Sequence, residues 1–306
     1  MMNPIELRDH LQGLFAFPVT PFTENDEVDL RRYHDHLGFM MSHHPAALFV
    51  CGGTGEFFSL NLAEYRALVE AAVEEVRGRL PVIAGAGYGA SLAAEFVRAA
   101  EEAGADGILL MPPYLVQAEQ AGLYEHYRRV AAATRLGVIV YQRDNAIIAP
   151  ATAARLAEIP NLIGFKDGHG DMERLGRIRL AVGDRLAFMN GMPTAELSAQ
   201  AFQGLGVVSY SSAVFNFAPE ISQAFYKALT RGDPNLLHEL LENFFRPLAD
   251  LRDRKKGYAV SMIKAAVNIS GPPVGAARPP LVNLTNDELT ELKSIVEKGR
   301  SQVNTS

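Results

Sequence analysis

Leu162-Ile163-Gly164-Phe165-Lys166-Asp167 is a short apolar run that closes on two charges. Its apolar residues follow one another instead of alternating, the pattern of a parallel strand covered on both faces. Similar runs lie on either side of it. Residues 14–19, 47–51, 82–85, 107–111 and 138–141 precede it, and residues 186–190 and 207–209 follow. Amphipathic segments at 62–77, 91–103 and 123–134 separate several of these runs and predict helices. Asn61 with Glu64 three residues on reads as a capping box, and Ser91 as another N-cap. Gly78 and Gly104 stand where helix C-terminal glycines belong.

Eight strand–helix units in alternation predict a closed (β/α)8 TIM barrel rather than an open doubly wound sheet. No Gly-x-Gly-x-x-Gly follows the first run, which counts against a dinucleotide fold. Gly85-Ala86-Gly87-Tyr88-Gly89 follows the third run with the wrong spacing and reads as a structural turn. Beyond the eighth run the pattern is helical at 219–230, 234–251, 258–268 and 286–298, interrupted by Pro272, Pro273, Pro279 and Pro280. The expected organisation is a barrel over residues 1–230 and a C-terminal helical extension over residues 231–306.

The bulk composition suits a soluble globular protein of this size. The 306 residues are 48% apolar and 21% charged, enough to bury a large core. A formal charge of −6 argues against nucleic acid or an anionic membrane surface as partner. Cys51 is the single cysteine, so no intrachain disulfide can form. The first eleven residues carry Glu6, Arg8, Asp9 and His10 and no signal-like apolar stretch, and no run is long enough to span a bilayer. A cytoplasmic protein is expected.

Barrel enzymes place their chemistry at the C-terminal ends of the strands. Here those ends carry Gly52-Gly53-Thr54-Gly55-Glu56, Tyr141-Gln142-Arg143, Lys166-Asp167, Asn190-Gly191 and Ser209-Tyr210-Ser211-Ser212. Lys166 is the one lysine that ends a strand. Buried there, its amine loses charge and becomes a nucleophile; paired with Asp167 or reaching solvent, it is only structural. Tyr141 on the preceding strand can move protons beside it, or simply pack. Gly53 and Thr54 offer backbone amides and a hydroxyl to a carboxylate, or form a tight turn. Arg143 offers a fork of donors to a second carboxylate, or lies on the surface. Asn190, Ser209 and Ser211 are further candidates for polar contact with a substrate. No histidine or cysteine spacing matches a metal site, and no cofactor is expected.

Taken in order, residues 17–22, Gly52-Gly53-Thr54-Gly55-Glu56, Ala84-Gly85-Ala86-Gly87, Pro112-Pro113-Tyr114, Tyr141, Gly164-Phe165-Lys166-Asp167, and the segment from Lys264 to Leu281 resemble the dihydrodipicolinate synthase / N-acetylneuraminate lyase family of Schiff-base aldolases and dehydratases. The resemblance implies Lys166 as the Schiff-base lysine, Tyr141 as its proton-transfer partner, and Thr54 with adjacent amides as the keto-acid carboxylate site. It also implies a homo-oligomer, a tetramer or dimer of dimers.

Two departures narrow the expectation. Gly53 stands where the family usually has a hydroxyl residue, and Tyr141-Gln142-Arg143-Asp144-Asn145-Ala146 replaces the synthase pattern Tyr-Asn-x-Pro-Gly-Arg. They count against the synthase activity, whereas Gly-Gly-Thr-Gly-Glu-Phe-Phe-Ser-Leu at residues 52–60 with Tyr141-Gln142-Arg143 resembles the family's decarboxylating dehydratases, which implies a small 2-keto sugar diacid as substrate. The alternatives are an aldolase for a 2-keto-3-deoxy sugar acid, a metal-dependent aldolase, or a non-catalytic sugar-acid-binding barrel.

Overall fold

Eight short strands, β1 (Leu14–Ala16), β2 (Ala47–Val50), β3 (Val82–Ala86), β4 (Gly107–Leu110), β5 (Gly137–Gln142), β6 (Leu162–Asp167), β7 (Ala187–Asn190) and β8 (Tyr210–Ser212), pair in chain order. All pairs are parallel, and β8 returns to β1 to close the barrel. The computed structural model from which this is read describes residues 2–303. Unbroken apolarity in the strands reflects two buried faces. Phe15, Phe49, Ile83, Leu109, Ile139 and Ile163 form one cluster inside the barrel. Their neighbours Ala16, Leu48, Ala84, Ile108, Val138 and Leu162 belong to the larger core shared with the helices. Register sets Tyr141 opposite Lys166 and Lys166 opposite Met189.

The eighth strand differs from its sequence expectation. The apolar residues just before it are consumed in ending the helix Ala199–Gly204: Gly206 takes φ 75°, and the Val207 amide bonds the Phe202 carbonyl. The ladder to β1 therefore starts at Tyr210, opposite Leu14. Ser209 consequently lies at the N-terminal end of β8, where its hydroxyl accepts from the Gly13 amide at 3.0 Å.

An element not read from the sequence closes that N-terminal end. The helix Pro4–His10 is started by Asn3 and Glu6 in a capping box. Its Leu7, together with Leu11, joins the inner cluster. A Cβ at Gly107 would stand 2.5 Å from Leu7 Cδ2, so the small residue at the foot of β4 makes room for this plug. Among the read caps, the Asn61–Glu64 box is present, whereas the helix expected to start at Ser91 begins at Ala90 with Gly89 as its N-cap.

After β8 come helices Pro219–Arg231, Pro234–Leu240, Arg246–Arg252, Tyr258–Ser270 and Asn286–Val303. The expected continuous helix over 234–251 is interrupted by a π-helical turn, Leu241–Phe245. Pro247 follows two residues after it, and its missing N–H prevents a regular ladder there. Among the described residues no helix is long and apolar enough to cross a membrane.

Candidate active site

Lys166 and Tyr141 come together at the C-terminal end of the barrel because β5 and β6 are neighbours in register. Lys166 is 4% exposed. Its Nζ lies 4.0 Å from the centre of the Phe17 ring and 4.5 Å from that of Tyr141. Asp167 does not pair with it. That carboxylate, on the opposite face of the strand, accepts from Gln142 Nε2 at 2.8 Å and from the His169 and Gly170 amides at 3.2 Å each. Deprived of water and of a counter-charge, the amine is pulled down to about 7, with burial the main cause and the positive charge of Arg143 the second.

The contrast with the second buried lysine is instructive. Lys264 Nζ donates to Glu56 Oε1 at 2.9 Å and to the Thr20 carbonyl at 2.8 Å. A cation so engaged has no free electron pair to attack a carbonyl. Of the two, Lys166 is the one equipped as a nucleophile.

The Tyr141 phenol donates to the Gly191 carbonyl at 2.9 Å and accepts from Arg143 Nη1 at 3.3 Å. Burial raises its pKa, and Arg143 opposes that rise. Arg143 also holds Asp144 at 3.1 Å while its Nη1 stays beside the phenol. Two glycines make this packing possible. A Cβ at Gly191 would meet Lys166 Cε and Cγ at 2.7 Å and Tyr141 Cε2 at 2.9 Å. One at Gly168 would meet Tyr141 Cε2 at 2.7 Å. Neither is assigned a role from the sequence, although Gly191 stands among the strand ends; their position directly after β6 and β7 was the available signal.

A cavity of ≈ 630 Å³ opens over the lysine, lined by Phe17, Gly53, Thr54, Tyr141, Arg143 and Ser211 among others, with Arg252 and, from the turn before the helix Tyr258–Ser270, Lys255 and Lys256 at its wall. Of the sequence candidates, Gly53, Thr54, Arg143 and Ser211 thus gather around Lys166 and Tyr141. Asn190 and Ser209 do not. Asn190 is 1% exposed, and its amide is used on the Ala195 carbonyl, Ser198 Oγ and the Met192 N–H, shaping the loop after β7. Ser209 is at the far end of its strand, as described above.

The turn carrying Gly53 and Thr54 is under conformational constraint. Cys51 and Glu56 at its ends both have left-handed backbone, φ 51° and 56°. The Cys51 carbonyl presses so closely on β3 that a Cβ at Gly85 would lie 2.2 Å from it. That close approach is the reason for glycine at Gly85.

Glu196 is a further buried acid at the wall of the cavity that the sequence did not reveal. It is 1% exposed, accepts from Ser212 Oγ at 2.6 Å, and burial raises it to about 7. Because its ordinary value is 4.5, the folded chain binds more protons between those two pH values. The resulting stability is fully present below about 4.5 and is lost as pH rises through about 7. Replacing Glu196 with Gln is expected to remove up to about 3 kcal/mol of this pH dependence. Tm measured from pH 4 to 8 checks it: parallel wild-type and variant curves would contradict the assignment.

Among the described residues no group of three or more His, Cys, Asp or Glu side chains is placed to hold a metal ion.

Comparison with known proteins agrees with this geometry. The sequence profile of the dihydrodipicolinate synthetase family matches residues 10–299. A Rhizobium rhizogenes protein named a probable 5-dehydro-4-deoxyglucarate dehydratase is 50% identical over 302 residues, covering 98% of this chain and 100% of its own. A Streptomyces griseus protein of the same name is 51% identical over 300 residues, covering 96% and 93%. Among solved structures, a dihydrodipicolinate synthase from Oceanobacillus iheyensis has a TM-score of 0.90 at 28% identity, covering 98% of this chain and 100% of that one. The synthase from Bacillus clausii gives 0.89 at 28% identity, covering 96% and 99%. With a match that spans nearly its full length and the parallel barrel that its sequence implied, the chain belongs to the dihydrodipicolinate synthetase family.

Proposed function

We propose that the protein is a decarboxylating dehydratase, a lyase that converts 5-dehydro-4-deoxy-D-glucarate to 2,5-dioxopentanoate, CO2 and water through a Schiff base on Lys166. The observation that carries this reading is the buried amine of Lys166, free of any counter-charge and packed against Tyr141 below an open cavity. Half-identity to relatives named for that reaction supports the choice of substrate.

Carbons are counted here from the keto end. Lys166 Nζ adds to C2, and the carbinolamine loses water to give an iminium. Tyr141 carries protons to and from the departing oxygen. The iminium acidifies the C3 methylene; loss of a C3 proton leaves an enamine, whose electron pair expels the C4 hydroxyl as water once that oxygen is protonated. The iminium re-forms in conjugation with a C3–C4 double bond. It then accepts the electron pair of the C5–C6 bond as the distal carboxylate departs as CO2. Protonation at C3 and C4, conversion of the C5 enol to an aldehyde and hydrolysis of the imine release the product. Overall the substrate dianion and one proton yield the product monoanion, water and CO2. No step calls for a cofactor.

Gly53 and Thr54 are proposed to hold the C1 carboxylate through N–H and hydroxyl donors, with Arg143 and Ser211 facing the remaining oxygens. Arg143 lies beside the phenol, so its contact to the distal carboxylate is proposed to be loose or water-bridged; a tight pair would oppose loss of that group. Asn190 and Ser209 are not part of this proposal. A cytoplasmic homo-oligomer, a tetramer or dimer of dimers, is proposed on the family resemblance.

Product analysis tests the reading. Incubation with 5-dehydro-4-deoxyglucarate is expected to release one CO2 for each substrate consumed, with no pyruvate. Pyruvate without CO2 would make the protein an aldolase and sink the dehydratase assignment.

A further inference from the structure

Lys264 and Glu56 stand 208 residues apart in the chain, yet their side chains are 1% and 0% exposed and joined at 2.9 Å. Lys264 belongs to the helix Tyr258–Ser270, in the helical segment that follows the barrel. Glu56 ends the turn that begins at Gly52 and contributes Gly53 and Thr54 to the cavity. Around this pair the contacts are numerous. Lys264 also donates to the Thr20 carbonyl and lies 4.2 Å from the centre of the Phe22 ring. The second Glu56 oxygen accepts from the Arg278 amide at 3.0 Å. The Arg278 guanidinium lies 4.1 Å from the centre of the Phe22 ring and pairs with Glu64 at 2.6 Å. The Thr20 hydroxyl donates to the Gly55 carbonyl at 2.6 Å.

Stability alone does not account for such an arrangement. Two charges withdrawn from water give up about as much solvation as their attraction returns, and an apolar pair of equal volume would serve the core as well. What the ion pair supplies is direction, because its hydrogen bonds fix where the carboxylate of Glu56, and therefore its backbone, must sit. The turn needs such fixing. Cys51, just before it, and Glu56, at its end, are non-glycine residues with left-handed backbone, a conformation that persists only where the surroundings impose it. Three of the four residues between them are glycines, with little preference of their own. A string of N–H groups grips an anion well only when its geometry is set beforehand.

We propose that the Lys264–Glu56 pair is a positioning device, through which the C-terminal helical segment holds the Gly52-Gly53-Thr54-Gly55-Glu56 turn in the shape that receives the keto-acid carboxylate. The inference rests on the reading that this turn binds that carboxylate while Lys166 forms the imine. Neither residue touches the reacting atoms. Their effect therefore belongs in substrate affinity, and the helical segment acquires a part in binding that it does not have as a mere cover.

The test compares wild type with the double variant Glu56→Gln/Lys264→Met, which cuts the tether without leaving an unpaired buried charge. Imine formation is trapped with borohydride over a range of 5-dehydro-4-deoxyglucarate concentrations and read by intact mass, alongside steady-state kinetics and amide exchange of residues 52–56. Half-saturation and KM are expected to rise about tenfold, with kcat within about threefold of wild type and faster exchange in the turn. A folded variant with unchanged half-saturation overturns the inference, and so does a loss confined to kcat. Should the double variant not fold, Thr20→Val is a milder handle, because it removes only the hydroxyl that holds the Gly55 carbonyl. It is expected to raise half-saturation about threefold, and a wild-type value there overturns the inference as well. If wild type itself forms no adduct, the Schiff-base reading fails and takes the inference with it; an adduct in wild type with unshifted variants removes the inference alone.

Discussion

Lys166→Ala is expected to abolish covalent capture of the substrate and to lower turnover by about 10⁴-fold or more, with the fold intact. The loss should be this large because the proposed mechanism routes both eliminations through the lysine: its iminium would acidify C3, drive the loss of water, and accept the electrons released with CO2. The other cations near it are poorly equipped to substitute: Lys264 is locked onto Glu56 and Thr20, Lys255 is held by Tyr258 and Glu288, and Arg143 remains protonated. Removing a buried amine that has no counter-charge leaves no partner unsatisfied, so Tm should hold or rise slightly. In wild type, imine formation should accelerate as pH rises through about 7, where the amine loses its proton. Steady-state turnover and Tm of purified Lys166→Ala decide the matter. Residual activity within tenfold of wild type would show that the lysine is not the nucleophile.

The second large effect is expected from a single methyl group. In Gly191→Ala the new Cβ would stand 2.7 Å from two carbons of Lys166 and 2.9 Å from the Tyr141 ring. Lys166 could yield only by leaving Phe17 for the cavity, and Tyr141 only by giving up its bonds to Arg143 and the Gly191 carbonyl. A displacement of about 1 Å at the reacting atoms costs about 10²-fold in rate, and a loss of at least that size is expected. The accompanying loss of stability should be about 1–3 kcal/mol, as for other overpacked cores. Single-turnover trapping separates the two effects: the rate of adduct formation should fall far more than the folded fraction. Wild-type trapping kinetics in this variant would show that the tight packing of Lys166 and Tyr141 is irrelevant to the chemistry.

How much of this was legible in the sequence follows from the range over which each feature is determined. The barrel was readable because two-faced burial of parallel strands is written locally, in runs such as residues 162–165. Lys166 and Tyr141 were readable for the same reason, as polar residues ending such runs on consecutive strands. The eighth strand was misplaced by three residues because Val207 looks like a strand residue while the Gly206 turn uses it to end a helix. That shift, invisible in hydropathy, moved Ser209 to the wrong end of the barrel. Asn190 was placed correctly at a strand end, but alternation along β7 turns it away from the cavity and into the loop that follows.

Features set by distant parts of the chain could not be read at all. Lys264 looked like one more helical lysine until the fold brought it to Glu56. Glu196 gave no sign that it would be enclosed beside Ser212. The glycines at 168 and 191 are demanded by side chains that reach them only across the barrel rim.

The most direct test of the central claim is to locate the adduct. Wild-type protein is incubated with 5-dehydro-4-deoxyglucarate and borohydride, digested, and its modified peptide sequenced by mass spectrometry. A single reduced adduct on Lys166, absent without substrate, is the expected result. An adduct on Lys264 or another lysine, or none despite continuing turnover, would contradict the account.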